Sequence, residues 1–299
     1  MALFAGLLAY IVHRIREQPV DWALVRAQLA GVSYLGWWLA GLVLLTPVNW
    51  GLEARKWQLL IRPVEAISFI EAYQAVLAGT SLGFALPAVV GDAAGRVLAL
   101  RSGSRAEGVA ASLVSGGLQF YVAVGFGAVA WAWQVVSVSG RDTVSGRVLL
   151  ALLAGMTLTG VLLLLFQPEV RRVSLPVIGW MALPPFATLP LPLGFAALRY
   201  LTFSLQFFLA LNLYGLTLPV ADAAAGIGLV FLAKTITPAF NVLSDLGVRE
   251  AAALWVFAPY DLPAPVLILA TLTLWAVNVL LPVLVGLVWV WRLNIARNQ

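Results

Sequence analysis

Apolar residues along this chain come in runs of membrane-spanning length, and polar residues gather at the ends of those runs. Gly31–Trp50 is one such run. It passes into Glu53, Arg55, Lys56 and Trp57, where tryptophan beside basic residues marks a membrane–water boundary. Gly108–Trp133, Val148–Phe166, Gly194–Leu216 and Pro263–Trp291 are further runs of this kind. A hydrocarbon core takes about 17–25 helical residues, so each is read as a full span. Met1–Val12 is a sixth, shorter stretch, read as a tilted or abbreviated span. It is followed by charge and not by a small-residue cleavage site, so it does not read as a cleavable signal. Pro168–Leu193 reads as a proline-rich connector carrying Arg171 and Arg172.

Two stretches break the pattern. Ala66–Pro87 is interrupted by Glu71, Gln74, Thr80, Ser81 and Gly83, and runs on into Gly91-Asp92-Ala93-Ala94-Gly95-Arg96. Ala223–Leu254 is interrupted by Lys234, Pro238, Asn241, Asp245, Gly247, Arg249 and Glu250. Both read as broken, re-entrant helical hairpins. The expected fold is therefore all-α: a polytopic membrane protein with about six full spans and two re-entrant hairpins, residues 1–299 forming one integral membrane domain.

The two broken stretches resemble each other. Leu77-Ala78-Gly79-Thr80, Pro87 and Asp92-x-x-x-Arg96 in the first match Leu232-Ala233-Lys234-Thr235, Pro238 and Asp245-x-x-x-Arg249 in the second. The repeat units lie around residues 66–107 and 220–260. Three expected spans separate them, which would turn the second copy upside down. Inverted repeats of interrupted helices are a recurring design in transporters.

Composition narrows the chemistry. Of 299 residues, 62% are hydrophobic and 10% charged, with mean hydropathy +0.96. A soluble domain carries about 25% charged residues. The chain has no cysteine and a single histidine, which excludes disulfides, thiolate chemistry and a multi-histidine metal site. His13, beside Arg14 and Arg16, reads as an interface residue, and no cofactor or metal is expected. The net charge of +5 reads as the basic bias of cytoplasmic loops and not as a nucleic-acid footprint. With both termini in the cytoplasm, that side holds Arg55, Lys56, Arg62, Arg96, Arg101, Arg105, Arg171, Arg172, Arg292 and Arg297. The outer side holds Arg14, Arg16, Arg26, Arg141 and Arg147. Ten against five favours a multi-pass protein of the cytoplasmic (inner) cell membrane with its termini inside.

Asp92, Arg96, Lys234, Asp245, Arg249 and Glu250 sit in or beside the broken stretches. A charge at the bilayer centre costs roughly 2.5–3.5 kcal/mol, so six facing lipid would cost on the order of 15–20 kcal/mol. They must pair or line a wet cavity. The plainer reading is two self-neutralising i,i+4 pairs at the interface. The sharper one is a polar cavity lined by both broken stretches, with the arginines and Lys234 meeting phosphate and the acids meeting an amine. Arg199, inside an otherwise apolar span, reads first as snorkelling to the boundary and second as a further ligand.

At these residues the sequence resembles a known family. Pro87-x-x-x-Gly91-Asp92-x-x-x-Arg96 resembles its Pro-x-x-x-Gly-Glu/Asp-x-x-x-Arg element, Gly247-Val248-Arg249-Glu250 its Gly-(apolar)-x-Glu element, and Ala54-Arg55-Lys56-Trp57 its Arg-(basic)-Trp motif. The family is the flippase-like transmembrane domain of lysylphosphatidylglycerol synthases, which also occurs as stand-alone membrane proteins. Asp92 stands where that family more usually has glutamate, and Asp245 where it prefers a small residue. The resemblance covers nearly the whole chain. It implies translocation of an aminoacylated or otherwise modified phospholipid, or of a polyprenyl-phosphate-linked lipid.

In the full-length synthases a soluble transferase follows this domain. Here the sequence stops at Gln299, so lysyl transfer by this polypeptide is not expected, and no catalytic residue is named. The expected partners are a membrane lipid, a second copy of the chain and a separate lipid-modifying enzyme. No Gly-x-x-x-x-Gly-Lys-Ser/Thr motif is present, so movement would be passive or ion-coupled. Two alternatives stand beside lipid translocation. One is a membrane-embedded transferase on a lipid-linked substrate, for which the outer loops offer only the isolated acids Asp142, Asp222 and Asp261. The other is a non-transporting scaffold.

Overall fold

The computed structural model describes residues 34–101, 105–138, 172–175, 179–182, 188–237 and 244–297, with isolated positions between 13 and 31. Among these, four helices are long and apolar enough to cross a membrane. They are α1 (Leu35–Ile61), α4 (Arg105–Val138), α5 (Pro190–Leu213), and α8 (Ala264–Trp275) continued through a widened turn into α9 (Leu281–Arg297). The shortest, α5, has 24 residues. At about 1.5 Å per residue it reaches roughly 36 Å, longer than a hydrocarbon core of about 30 Å. Large apolar side chains such as Trp37, Leu44, Leu198 and Val129 are exposed on these helices, as lipid-facing positions would be. The chain is a multi-pass membrane protein. The expected spans Met1–Val12 and Val148–Phe166 lie outside the described residues.

Both broken stretches are broken, and for the same reason. The first is α2 (Phe69–Ala85) followed by α3 (Ala88–Leu98). Leu86, ahead of Pro87, is extended at φ −107°, ψ 171°. Proline forces its predecessor out of the helical region, then fits the start of a new helix. The second is α6 (Val220–Ile236) and α7 (Ser244–Val256). Thr237, ahead of Pro238, is likewise extended at φ −86°, ψ 120°. Pro219 sets the start of α6 as Pro87 sets that of α3. The described fold is helical apart from a short antiparallel hairpin, β1 (Arg172–Leu175) with β2 (Gly179–Ala182), inside the expected connector.

The chain divides into two compact units. One takes in Met1–Pro47, Phe126–Leu149 and Thr202–Leu280, and so contains α6–α7. The other takes in Val48–Gly125, Leu150–Leu201 and Leu281–Gln299, and contains α2–α3. Each of the four long helices among the described residues contributes one part to each unit.

In the α2–α3 unit the two helices fold back antiparallel with their backbones touching. A Cβ on Gly91 would lie 2.3 Å from the Gly83 nitrogen, and one on Gly95 2.3 Å from the Gly79 nitrogen. Only glycine allows that approach, and small-residue contacts of this kind replace the hydrophobic effect as the glue between helices in lipid. The α2 start is fixed by a capping box: Ser68 Oγ accepts from the Glu71 backbone N–H at 3.2 Å, while the Ser68 N–H donates to Glu71 Oε2 at 2.8 Å. Helix α9 lies against α2, where Ser81 Oγ donates to the Val283 carbonyl at 2.7 Å.

In the α6–α7 unit the core is aromatic. Phe203 stacks on Phe231 at 4.9 Å, and Phe207 meets Phe257 edge-on at 6.5 Å. A Cβ on Gly226 would lie 2.4 Å from the Phe257 ring. Gln206 joins three elements: its amide donates to the Leu42 carbonyl at 2.9 Å and to Thr46 Oγ at 3.1 Å, and its oxygen accepts from buried Asn278. Asn278 belongs to the widened π turn Ala276–Leu280 that links α8 to α9.

Candidate functional site

The α2–α3 unit holds a buried ionic network centred on Glu53. Helix α1 carries Glu53 and Lys56 on one face at i,i+3 spacing, and both are nearly inaccessible, at 3% and 1% exposure. Glu53 Oε1 accepts from Arg96 Nη2 at 2.9 Å and from Ser115 Oγ at 2.9 Å. Glu53 Oε2 lies 2.7 Å from Lys56 Nζ and 3.3 Å from Arg199 Nη1. Arg96 also donates from Nε to Asp92 Oδ1 at 2.9 Å, one helical turn back on α3. Lys56 Nζ donates to the Ser115 carbonyl at 3.0 Å. Gln119 Oε1 accepts from Arg199 Nη1 at 3.3 Å. The guanidinium of Arg199 lies 5.0 Å from the Trp50 ring, and that of Arg96 lies 6.0 Å from the Trp57 ring. Two acids face three cations, so the network carries one net positive charge.

Asp92 is the partly exposed end of this network, its side chain 31% accessible. It opens on a cavity of about 310 Å³ lined by Val89, Asp92, Ser112, Leu113, Gly116, Gly117 and Phe120. Gly116 and Gly117 keep it clear, since a Cβ at either position would meet nothing within 4 Å. The cavity is apolar along most of its wall and ionic at one end, which is the pattern an amphiphile fits.

The α6–α7 unit holds a smaller group. Asp245 bridges two cations: Arg249 Nη2 is 2.5 Å from its Oδ2, and Lys234 Nζ is 3.3 Å from its Oδ1. The aromatic ring of Phe203 faces both cations, at 5.7 Å from Arg249 and 6.0 Å from Lys234. Arg249 is fully buried, yet its Nε and Nη1 have no acceptor. Glu250 is buried at 2% exposure, and neither of its oxygens accepts a hydrogen bond. The nearby Thr271 hydroxyl is committed to the Ile268 carbonyl at 2.9 Å.

All seven site residues expected from the sequence fall in these two groups: Asp92, Arg96 and Arg199 in the first, Lys234, Asp245, Arg249 and Glu250 in the second. Both i,i+4 pairs form, but neither is self-contained, because Arg96 also pairs with Glu53 on α1 and Asp245 with Lys234 on α6. Three expectations are corrected. Helix α1 does not end near Trp50 but continues to Ile61. Lys56 is not a loop cation, because Glu53 neutralises it within the protein. Arg199 does not snorkel to a boundary, because Glu53 and Trp50 hold it inside. Glu53, Ser115 and Gln119 were not foreseen as site residues. The one local signal for Glu53 was its i,i+3 spacing to Lys56 on a helix that becomes apolar again at Leu59-Leu60-Ile61. Among the isolated acids, Asp222 accepts from the Trp133 indole at 3.2 Å.

Comparison with known proteins adds one match. No curated protein matches the chain. The family model described as the lysylphosphatidylglycerol synthase TM region matches residues 1–286. With nearly its whole length matched, and with the Asp92/Arg96 and Arg249/Glu250 motifs carried on helices, the chain belongs to the lysylphosphatidylglycerol synthase transmembrane family and has a membrane-lipid-related role.

Proposed function

We propose that the protein moves lipids with charged headgroups from one leaflet to the other, the acyl chains staying in the bilayer. The observation that carries this reading is the Glu53 network with its Asp92 end opening on the 310 Å³ cavity. A buried ionic network is expensive to build in a membrane. It is retained where a polar group must be met at depth, and intramembrane ionisable residues mark substrate pathways. An aminoacylated phospholipid fits the chemistry, its phosphate meeting the cations and its amine meeting Asp92. A polyprenyl-phosphate-linked lipid fits the cationic part alone.

In this reading the protein is a transporter and not an enzyme, and a separate enzyme supplies the modified lipid. The two broken segments act as inverted copies. The membrane is the cytoplasmic one, with both termini inside. Once Lys56 and Arg96 are taken out of the loop count as buried, eight cytoplasmic cations still stand against five outer ones.

The test is reconstitution of the full chain into vesicles with headgroup-labelled aminoacyl-phosphatidylglycerol, following loss of inner-leaflet label to an external quencher. Wild-type protein should translocate the label well above empty vesicles. Arg96→Ala should lower the rate at least tenfold. Wild-type rates equal to those of empty vesicles would refute the proposal.

A further inference from the structure

We infer that Glu250 is a proton-binding site whose occupancy switches the α6–α7 group between a neutral state and a cationic, anion-accepting state. The inference rests on the transport reading for its biological meaning, and on local geometry for its substance. Arg249 and Glu250 are consecutive residues of α7, so their side chains leave the helix about 100° apart and cannot pair face to face. Each is left with unmet demand. Arg249 has two buried N–H groups without an acceptor, and Glu250 has two buried oxygens without a donor. A carboxylate buried in this way is costly while charged and much less costly once protonated.

The donors nearest to Glu250, its own backbone N–H and the Thr271 hydroxyl, form no hydrogen bond to its oxygens and hold the charge only weakly. Helix α7 itself offers Asp245 and Arg249, which are bound to each other. Helix α6 offers Lys234, held by Asp245, and Asp222, held by Trp133. Helix α8 brings no titratable side chain, only Thr271, whose proton is committed to Ile268. The adjoining short turn Ala258–Tyr260 brings Tyr260.

Charge arithmetic then separates two states. With Glu250 ionised, Lys234 and Arg249 are balanced by Asp245 and Glu250. With a proton on Glu250 the group carries one net positive charge, the same as the Glu53 network. In that state the Nε and Nη1 donors of Arg249, buried and without an acceptor, would meet a tetrahedral oxyanion once α7 opens to admit it, and guanidinium binds such an anion well. Proton and anion therefore favour each other's binding, and by linkage the effect is reciprocal. The proton comes from bulk water and returns there when the anion leaves.

The experiment uses the purified full chain in detergent, with short-chain phosphatidylglycerol as the lipid probe and inorganic sulfate as a headgroup-free oxyanion. Infrared difference spectra should show a protonated carboxylic C=O band in wild type. That band should grow when the lipid probe is added and be missing in Glu250→Gln. Wild-type affinity for the probe should fall by up to tenfold per pH unit as Glu250 loses its proton. Glu250→Gln should show a flat pH profile, and Glu250→Asp, which still titrates, should restore a slope. A response to sulfate as well as lipid would show that the oxyanion alone suffices, whereas a lipid-only response would assign the source to the headgroup. The absence of any Glu250-dependent acid band, or a band indifferent to both probes, would overturn the inference. Neither readout needs translocation, so inactive vesicles would count against the transport proposal and leave this one standing.

Discussion

The Glu53 network and the Glu250 group use the same residue types and end in opposite conditions. Around Glu53, Oε1 accepts from Arg96 and Ser115, and Oε2 lies within ion-pair distance of Lys56 and Arg199. Around Glu250, the cations have gone to Asp245 and the glutamate has no hydrogen-bonding partner. A buried carboxylate paired with three cations from three helices ties them into a frame whose members stand or fall together. A buried carboxylate without an ion-pair partner has a state to change. The contrast teaches that burial of a charge does not by itself say what it is for. What the neighbouring donors and acceptors leave over does.

Substitutions can break or sharpen that contrast. The largest effect is expected from Glu53→Gln, which leaves Lys56, Arg96 and Arg199 facing Asp92 alone. Removing one partner from a buried ionic network costs about 3–5 kcal/mol, to be read as thermal unfolding in detergent. A variant as stable as wild type would show that the network is not a frame.

A second comparison sets the two glycine contacts against each other. Gly91→Ala drives a methyl group into the α2 backbone, at an expected cost of about 1–3 kcal/mol. Gly226→Ala meets first the Phe257 ring, a side chain and not backbone, so its cost should be the smaller of the two. Equal losses would mean that the two helix pairs are packed with the same tolerance.

The capping box gives a smaller, pH-dependent effect. The Ser68 backbone N–H donating to Glu71 holds that carboxyl below its ordinary value, with Ser68 Oγ and nearby Arg101 assisting. A lowered value means that the contribution is complete above the usual glutamate range near 4.3 and fades as pH falls through the lowered value. Ser68→Ala should cost about 1 kcal/mol near neutral pH, and the difference from wild type should shrink on acidification. A gap that widens in acid would contradict it.

The smallest change is expected from Glu250→Gln. No ion pair or hydrogen bond is lost, so stability should stay within about 0.5 kcal/mol of wild type or rise slightly. A loss comparable to that of Glu53→Gln would erase the distinction between the two regions.

Much of this arrangement was legible along the chain, and the reason is distance. A proline acts on its neighbour, so the breaks at Pro87 and Pro238 could be read locally. An Asp and an Arg four residues apart meet on any helix, so both pairs could be read from spacing alone. The Glu53 network could not. Its members lie 43 residues apart in Glu53–Arg96 and 62 apart in Glu53–Ser115, and only the folded chain joins them. Hydropathy even pointed the wrong way there. Glu53, Arg55 and Lys56 look like the end of a span because an unpaired charge would end one, yet pairing lets α1 run on for a further turn and more. Arg199 was read as a boundary residue for the same cause. The spans themselves were legible because their apolar content needs no partner to be recognised.

The widened turn at Ala276–Leu280 has a consequence for how this chain tolerates length changes. A π turn holds one residue more than a regular turn. Deleting a residue inside it would let the helix close to ordinary winding while α9 keeps its phase, at the local loss of Asn278 from Gln206. The same deletion between Leu281 and Val285 has no slack to draw on. It would turn the remainder by about 100° and bring Leu287 to the place where the backbone of Leu77 leaves room only for Gly286.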